Sequence, residues 1–301
     1  MQFTRLIFAG LAVAAIAACS DDPVSTEVSP GASAAIRWVN AVPDTVAMDY
    51  RIVDYPSNAS EPNLAFRASS GNWRILPAGT HRIRVFFTNT TAAGLMPAVV
   101  SQIFVDTTLT FEVGKKYTVL HYGYAKTGAT PKQHLILIED NPPTPSAGQV
   151  AIRAINAAPG IGPVDLYAEV VLDTTTAAAA PSGAPLFTNV PLAGVTAWTS
   201  VAAAPSGRTY RIDATATGST TAAADLLAPA GLPAVAQTPT TAPTDPIAGA
   251  RQGQSALTFV VFGPRVAYVL KTPAGASVNV AGSATGAATT LLDRHPPRIS
   301  Q

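Results

Sequence analysis

Apolar and polar side chains alternate with a period of two along most of this chain, in short runs punctuated by glycine and proline. Ile36 and Trp38 alternate with Arg37 and Val39, and Ile83 and Val85 with Arg82 and Arg84, the period of a strand buried on one face. Tyr117 to Tyr122 and Leu135 to Ile138 are further β-rich runs, with turn signals at Pro43, Pro77-Ala78-Gly79, Gly114 and Gly123. No segment carries a helical period. An all-β fold follows, with about seven short strands per 110 residues, the density of an antiparallel immunoglobulin-like β-sandwich. A closed barrel is the alternative. One stretch breaks the pattern: Leu6 to Ala18 is continuously apolar, behind a single Arg5.

The chain also repeats itself. Ala35-Ile36-Arg37-Trp38-Val39-Asn40-Ala41-Val42-Pro43 returns 116 positions later as Ala151-Ile152-Arg153-Ala154-Ile155-Asn156-Ala157-Ala158-Pro159, and the same offset carries Asp49 onto Asp165. Leu64-Ala65-Phe66 with Trp73 is echoed by Leu186-Phe187 with Trp198. Tyr117 to Gly123 matches Leu257 to Gly263, and Leu137 to Pro143 matches Leu291 to Pro297. Two tandem domains are expected, at 35–143 and 149–301, joined by a linker at Thr144 to Gly148.

The apolar run is too short for a bilayer span of roughly 20 residues, and a signal-peptide h-region fits it better. It closes on Ile16-Ala17-Ala18-Cys19, which resembles a bacterial lipobox. That resemblance implies a signal peptide at 1–18, cleavage before Cys19 and lipidation of Cys19 by diacylglycerol and palmitate-type acyl groups. Ser20 in the next position implies outer-membrane sorting in a Gram-negative host. The alternative is an ordinary secretory signal with an incidental cysteine. Residues 19–34, rich in serine and proline, read as a lipidated N-terminus and flexible tether reaching roughly 20 Å.

Lys and Arg total 19 against 18 for Asp and Glu, and losing Arg5 with the signal balances them. Such a chain has no electrostatic footprint for nucleic acid. With Cys19 the lone cysteine, no disulfide forms within one chain. The first repeat holds twelve Phe, Trp and Tyr residues in 109 positions and the second seven in 153, so the first should be the more stable. The Ala, Thr and Pro tract from Ala214 to Ala250 reads as surface loop, because it offers little bulky area against the cost of ordering a backbone.

No chemistry stands out. His81, His121, His134 and His295 lack a second ligand at metal spacing, and no catalytic signature occurs. Neither an enzyme activity, a cofactor nor a metal is expected. Glu139-Asp140 should be solvated at a strand end. Asn40/Asn156 and Asp49/Asp165 recur at matched positions; bracing loop backbone accounts for them, with a pair of ligand sites as the other reading. Arg37 is expected to pair with Asp49, and Arg153 with Asp165, across adjacent strands.

Ile36 to Asp44 followed by Ala47-Met48-Asp49-Tyr50, Leu76 to Val85, and Val113 to Val119 together resemble the bacterial domain of unknown function 4397 (DUF4397) family. The resemblance covers the first repeat and the opening of the second, where Leu257 replaces the expected Tyr. It implies secreted or surface-anchored β-sandwich modules, often in tandem and in lipoproteins, and it carries over no catalytic residue. The expectation is a cell-envelope lipoprotein with a structural or interaction role, held to the membrane through Cys19 and meeting an envelope protein or glycan. The alternative is a small-ligand carrier or accessory subunit of an uptake system. The sequence leaves its oligomeric state open.

Overall fold

The computed structural model describes residues 32–55, 59–87, 103–175, 180–236, 244–271 and 277–297. The signal-peptide and lipidation expectations, including Cys19, lie outside them. All regular structure among the described residues is β. The first eight strands are β1 (Ser33–Ala41), β2 (Met48–Ile52), β3 (Glu61–Leu64), β4 (Arg74–Pro77), β5 (Gly79–Phe87), β6 (Ile103–Phe111), β7 (Lys116–Tyr122) and β8 (His134–Glu139). They form two four-stranded sheets, ordered β4-β1-β7-β8 and β3-β2-β5-β6.

The rest of the chain repeats the plan. It holds β9 (Gln149–Ala157), β10 (Val164–Leu172), β11 (Phe187–Val190), β12 (Thr199–Ala202), β13 (Arg208–Ala216), β14 (Ala222–Leu227), β15 (Ala256–Phe262), β16 (Tyr268–Lys271), β17 (Ser277–Val280) and β18 (Ala287–Arg294). The sheets are ordered β12-β9-β15-β18 and β11-β10-β13-β14, the same two orders again, with a small added hairpin of β16 and β17.

One ladder in each half departs from the antiparallel expectation. β1 runs parallel to β7, with Ile36 opposite Tyr117, and β9 runs parallel to β15, with Ile152 opposite Leu257. Parallel neighbours need a long crossover. Here the crossover carries the whole second sheet of that half, together with the edge strand β4 or β12.

Each half closes around its own apolar cluster. Ile36, Trp38, Tyr117 and Val119 of one sheet meet Met48, Tyr50, Ile83 and Phe111 of the other. In the second half, Ile152, Leu257 and Phe259 meet Leu166, Tyr210 and Ile212. The matched rungs are filled differently. In the first half Trp38 stands opposite Val119; in the second Ala154 stands opposite Phe259, and all four are fully buried. A large and a small residue have exchanged strands across one rung, so interior volume is conserved where sequence is not.

The alanine tract is loop only in part: it opens within β13 and β14, and among its described residues the rest is connection in which several alanines are buried. Ala214, Ala224, Ala228, Ala248 and Ala250 are buried in the second core, the first two in β13 and β14. Small side chains let strands and connections approach closely. Between Ala248 and Ala250, Gly249 lies so near Gly231 that a Cβ would sit 2.1 Å from the Gly231 nitrogen. Close approach thus replaces bulk as the means of filling space.

The half-exposed reading of β1 is also overturned. Ile36 and Trp38 face their own core, while Val39 and Ala41 on the other face join a third cluster containing Leu120, Ile138, Ile155, Val260, Phe262 and Leu291. That cluster draws on both halves. Each of β1, β7, β9 and β15 is therefore buried on both faces or nearly so.

A candidate cleft above a reciprocal arginine clamp

Within the shared cluster sit four buried charges. Arg37 of β1 donates to the carboxylate of Asp293 in the second half, and Arg153 of β9 donates to Asp140 in the first. Each arginine also donates through Nε to a threonine of its own half, Arg37 to Thr118 at 2.8 Å and Arg153 to Thr258 at 2.7 Å. Each threonine donates onward to its own half's aspartate, Thr118 to Asp140 and Thr258 to Asp293. A tryptophan covers each guanidinium: Arg37 Cζ lies 4.4 Å from the Trp73 ring centre and Arg153 Cζ 4.6 Å from Trp198. The halves exchange arginines.

This arrangement corrects the expected Arg37–Asp49 and Arg153–Asp165 pairs. Arginine and aspartate lie in different sheets, β1 against β2 and β9 against β10. It also corrects the solvated reading of Asp140, which is 4% exposed; Glu139 alone turns outward, to Lys115 at 3.0 Å. Burial pushes the Asp293 carboxyl above its ordinary pKa, against the opposing pull of Arg37.

Asn40 and Asn156 brace loops in both halves. The side-chain oxygen of each accepts the N–H two residues on, from Val42 and Ala158, and the amides donate to the carbonyls of Leu64 and Val190. Asp49 and Asp165 accept the N–H of Asn63 and Asn189, both at positive φ. Burial alone would raise the Asp165 pKa, but the N–H groups of Asn189 and Gly218 and the Thr217 hydroxyl together hold it below the ordinary value. These contacts make Val190-Pro191-Leu192 the counterpart of Leu64-Ala65-Phe66, in place of Leu186-Phe187.

The four histidines are dispersed. His81 bonds Asp54 and the Pro77 carbonyl, His134 bonds the Lys132 carbonyl, and His295 Nδ1 accepts the Ala248 N–H at 3.0 Å. His121 is fully buried, its Nδ1 2.9 Å from the Tyr50 hydroxyl. Burial pushes its pKa down to about 3, slightly opposed by Gln133, so the imidazole stays neutral. Among the described residues no group of three His, Cys, Asp or Glu could hold a metal, and no helix is long and apolar enough to cross a membrane.

Above the clamp the halves leave a cleft of about 580 Å³. Trp73 and Lys116 line it from the first half, and the end of β18 from Thr290 onward, with the following His295, from the second. Asp293, held by Arg37, is part of its lining. Sequence reasoning missed the site because its two walls lie far apart in the chain; the matched tryptophans were its one visible trace.

A family model described as a domain of unknown function (DUF4397) matches residues 34–167, taking in the first half, β9 and the start of β10. A search of curated proteins finds no match. Among the solved structures that match is one described as alpha-glucan binding by a streptococcal virulence factor, at 13% identity over 60% of this chain and 79% of that one, with a TM-score of 0.19. At that level it carries no argument about this chain.

Proposed function

We propose that this protein is a lipid-anchored module of the bacterial cell envelope, built from two tandem immunoglobulin-like sandwiches at 35–143 and 149–301, and that it works by binding rather than catalysis. The observation that carries the reading is the reciprocal clamp with its shared apolar cluster. It ties the two sandwiches together through buried contacts, and a cleft between elements packed in this way supports recognition with little rearrangement. The lipobox at Cys19 supplies the anchor, and Ser20 points to the outer membrane.

The test is site-specific crosslinking in cells. A photoreactive residue at Asn72, on the cleft rim, should capture an envelope component, protein or glycan, that the same residue at Thr108 of β6 does not. Equal capture from both positions would refute a binding role for the cleft. A small-ligand carrier is the second reading, favoured by a cleft volume within the roughly 300–1,000 Å³ typical of small-molecule sites.

A further inference from the structure

The cleft's chemistry is more specific than its shape, and resting on the binding role proposed above, we infer that it takes a carboxylate-bearing saccharide of the hexuronate class. Two cationic side chains line it, Lys116 and Arg294; neither forms an ion pair among the described residues, and Lys116 Nζ lies 5.5 Å from the Trp73 ring centre. The carboxylate on the lining, Asp293, is already matched by Arg37 and Thr258. With Asp293 matched, the charge left over on the lining is positive. Arg294 and Thr290 both lie on the β18 wall, where they add a cation and a hydroxyl-bearing residue to the lining.

His295 adds direction. Its Nδ1 accepts the Ala248 N–H, so the proton of the neutral ring sits on Nε2, which is left as a donor. Ser69 and Asn72 add hydroxyl and amide groups on the opposite wall, and Trp73, whose ring also meets Arg37 and Lys116, adds an aromatic edge. Cations for a carboxylate, polar groups for hydroxyls and one aromatic edge match an acidic sugar better than a simple acid or a neutral sugar. The second half provides an internal comparison. Trp198 repeats Trp73 there, but Ala256 stands at the register position of Lys116, so this cation has no counterpart in the second half.

The experiment is titration of the full chain with galacturonate, its trimer and galactose, followed by calorimetry and the Trp73 indole NMR signal. Galacturonate or its trimer should bind at least ten-fold tighter than galactose and shift Trp73. Arg294→Gln should lose that preference, and it should fold normally because the guanidinium makes no ion pair. A preference for the trimer assigns the ligand to a polysaccharide; equal affinity for monomer and trimer assigns it to a free sugar acid. Galactose binding as tightly as galacturonate, or an unaltered preference in Arg294→Gln, would overturn the ligand class. So would a Trp73 signal unmoved by all three sugars, and if crosslinking at Asn72 still captured a partner, the binding role itself would stand.

Discussion

Arg37, near the start of the first half, donates to the carboxylate of Asp293, near the end of the second, 256 positions along the chain. Arg153 returns the contact to Asp140. Such pairs add less stability than their number suggests, because desolvating both ions offsets most of their attraction. Removing one partner is another matter, since it strands a buried charge.

Arg37→Leu should therefore cost about 3–5 kcal/mol, read as a lower urea midpoint. Leu at both Arg37 and Asp293 should cost less than the single change. Equal losses in single and double variants would show that the two side chains are not coupled.

The exchanged rung offers a second measurement. Trp38→Ala should cost about 3–5 kcal/mol, because the indole is fully buried, donates to the Ala59 carbonyl at 2.8 Å and packs 5.2 Å from the Tyr50 ring. Adding Val119→Phe imports the second half's solution and should recover part of that loss. A double-mutant cycle with no coupling would mean that the rung is not a packing unit.

His121 gives the pH dependence. Its folded pKa is about 3, against 6.5 for a free imidazole. Between those values the unfolded chain binds a proton that the folded chain refuses, so stability is lost as pH falls, by about 1.4 kcal/mol per pH unit. His121→Phe should flatten this slope relative to the parent between pH 6.5 and 4.5. Parallel stability curves for the two proteins across that window would contradict the assignment.

The anchor is tested at Cys19. Cys19→Ala should abolish incorporation of radiolabelled palmitate and release the protein from the membrane fraction. Undiminished label in the variant would exclude the lipobox reading.

The parts of the fold written in local chemistry were legible. Asn40 and Asn156 announce the repeat because the turn each braces begins two residues on, and the alternation at Ile36 to Val39 marks a strand without reference to its partners. Docking was not legible. Nothing near Arg37 indicates that its outward face meets a second sheet, and the partner that neutralises it lies at the far end of the chain. Leu186-Phe187 looked like a repeat of Leu64-Ala65-Phe66 because apolar pairs are common; the true counterpart at Val190 preserves hydrogen bonds instead of side chains. The alanines misled for a related reason: their role depends on how closely neighbouring backbones approach, which composition does not record.

The parallel course of β1 beside β7 has a mechanical consequence. β1 follows directly on the N-terminal segment and is laddered on both sides, to β4 over Ser33 to Ile36 and to β7 over Ala35 to Ala41. Tension directed along the axis of that strand would load its hydrogen bonds in shear, many at once. A terminal strand joined at one edge and pulled sideways would unzip bond by bond. A pull applied through the first residues along this axis would thus meet both ladders of β1 together.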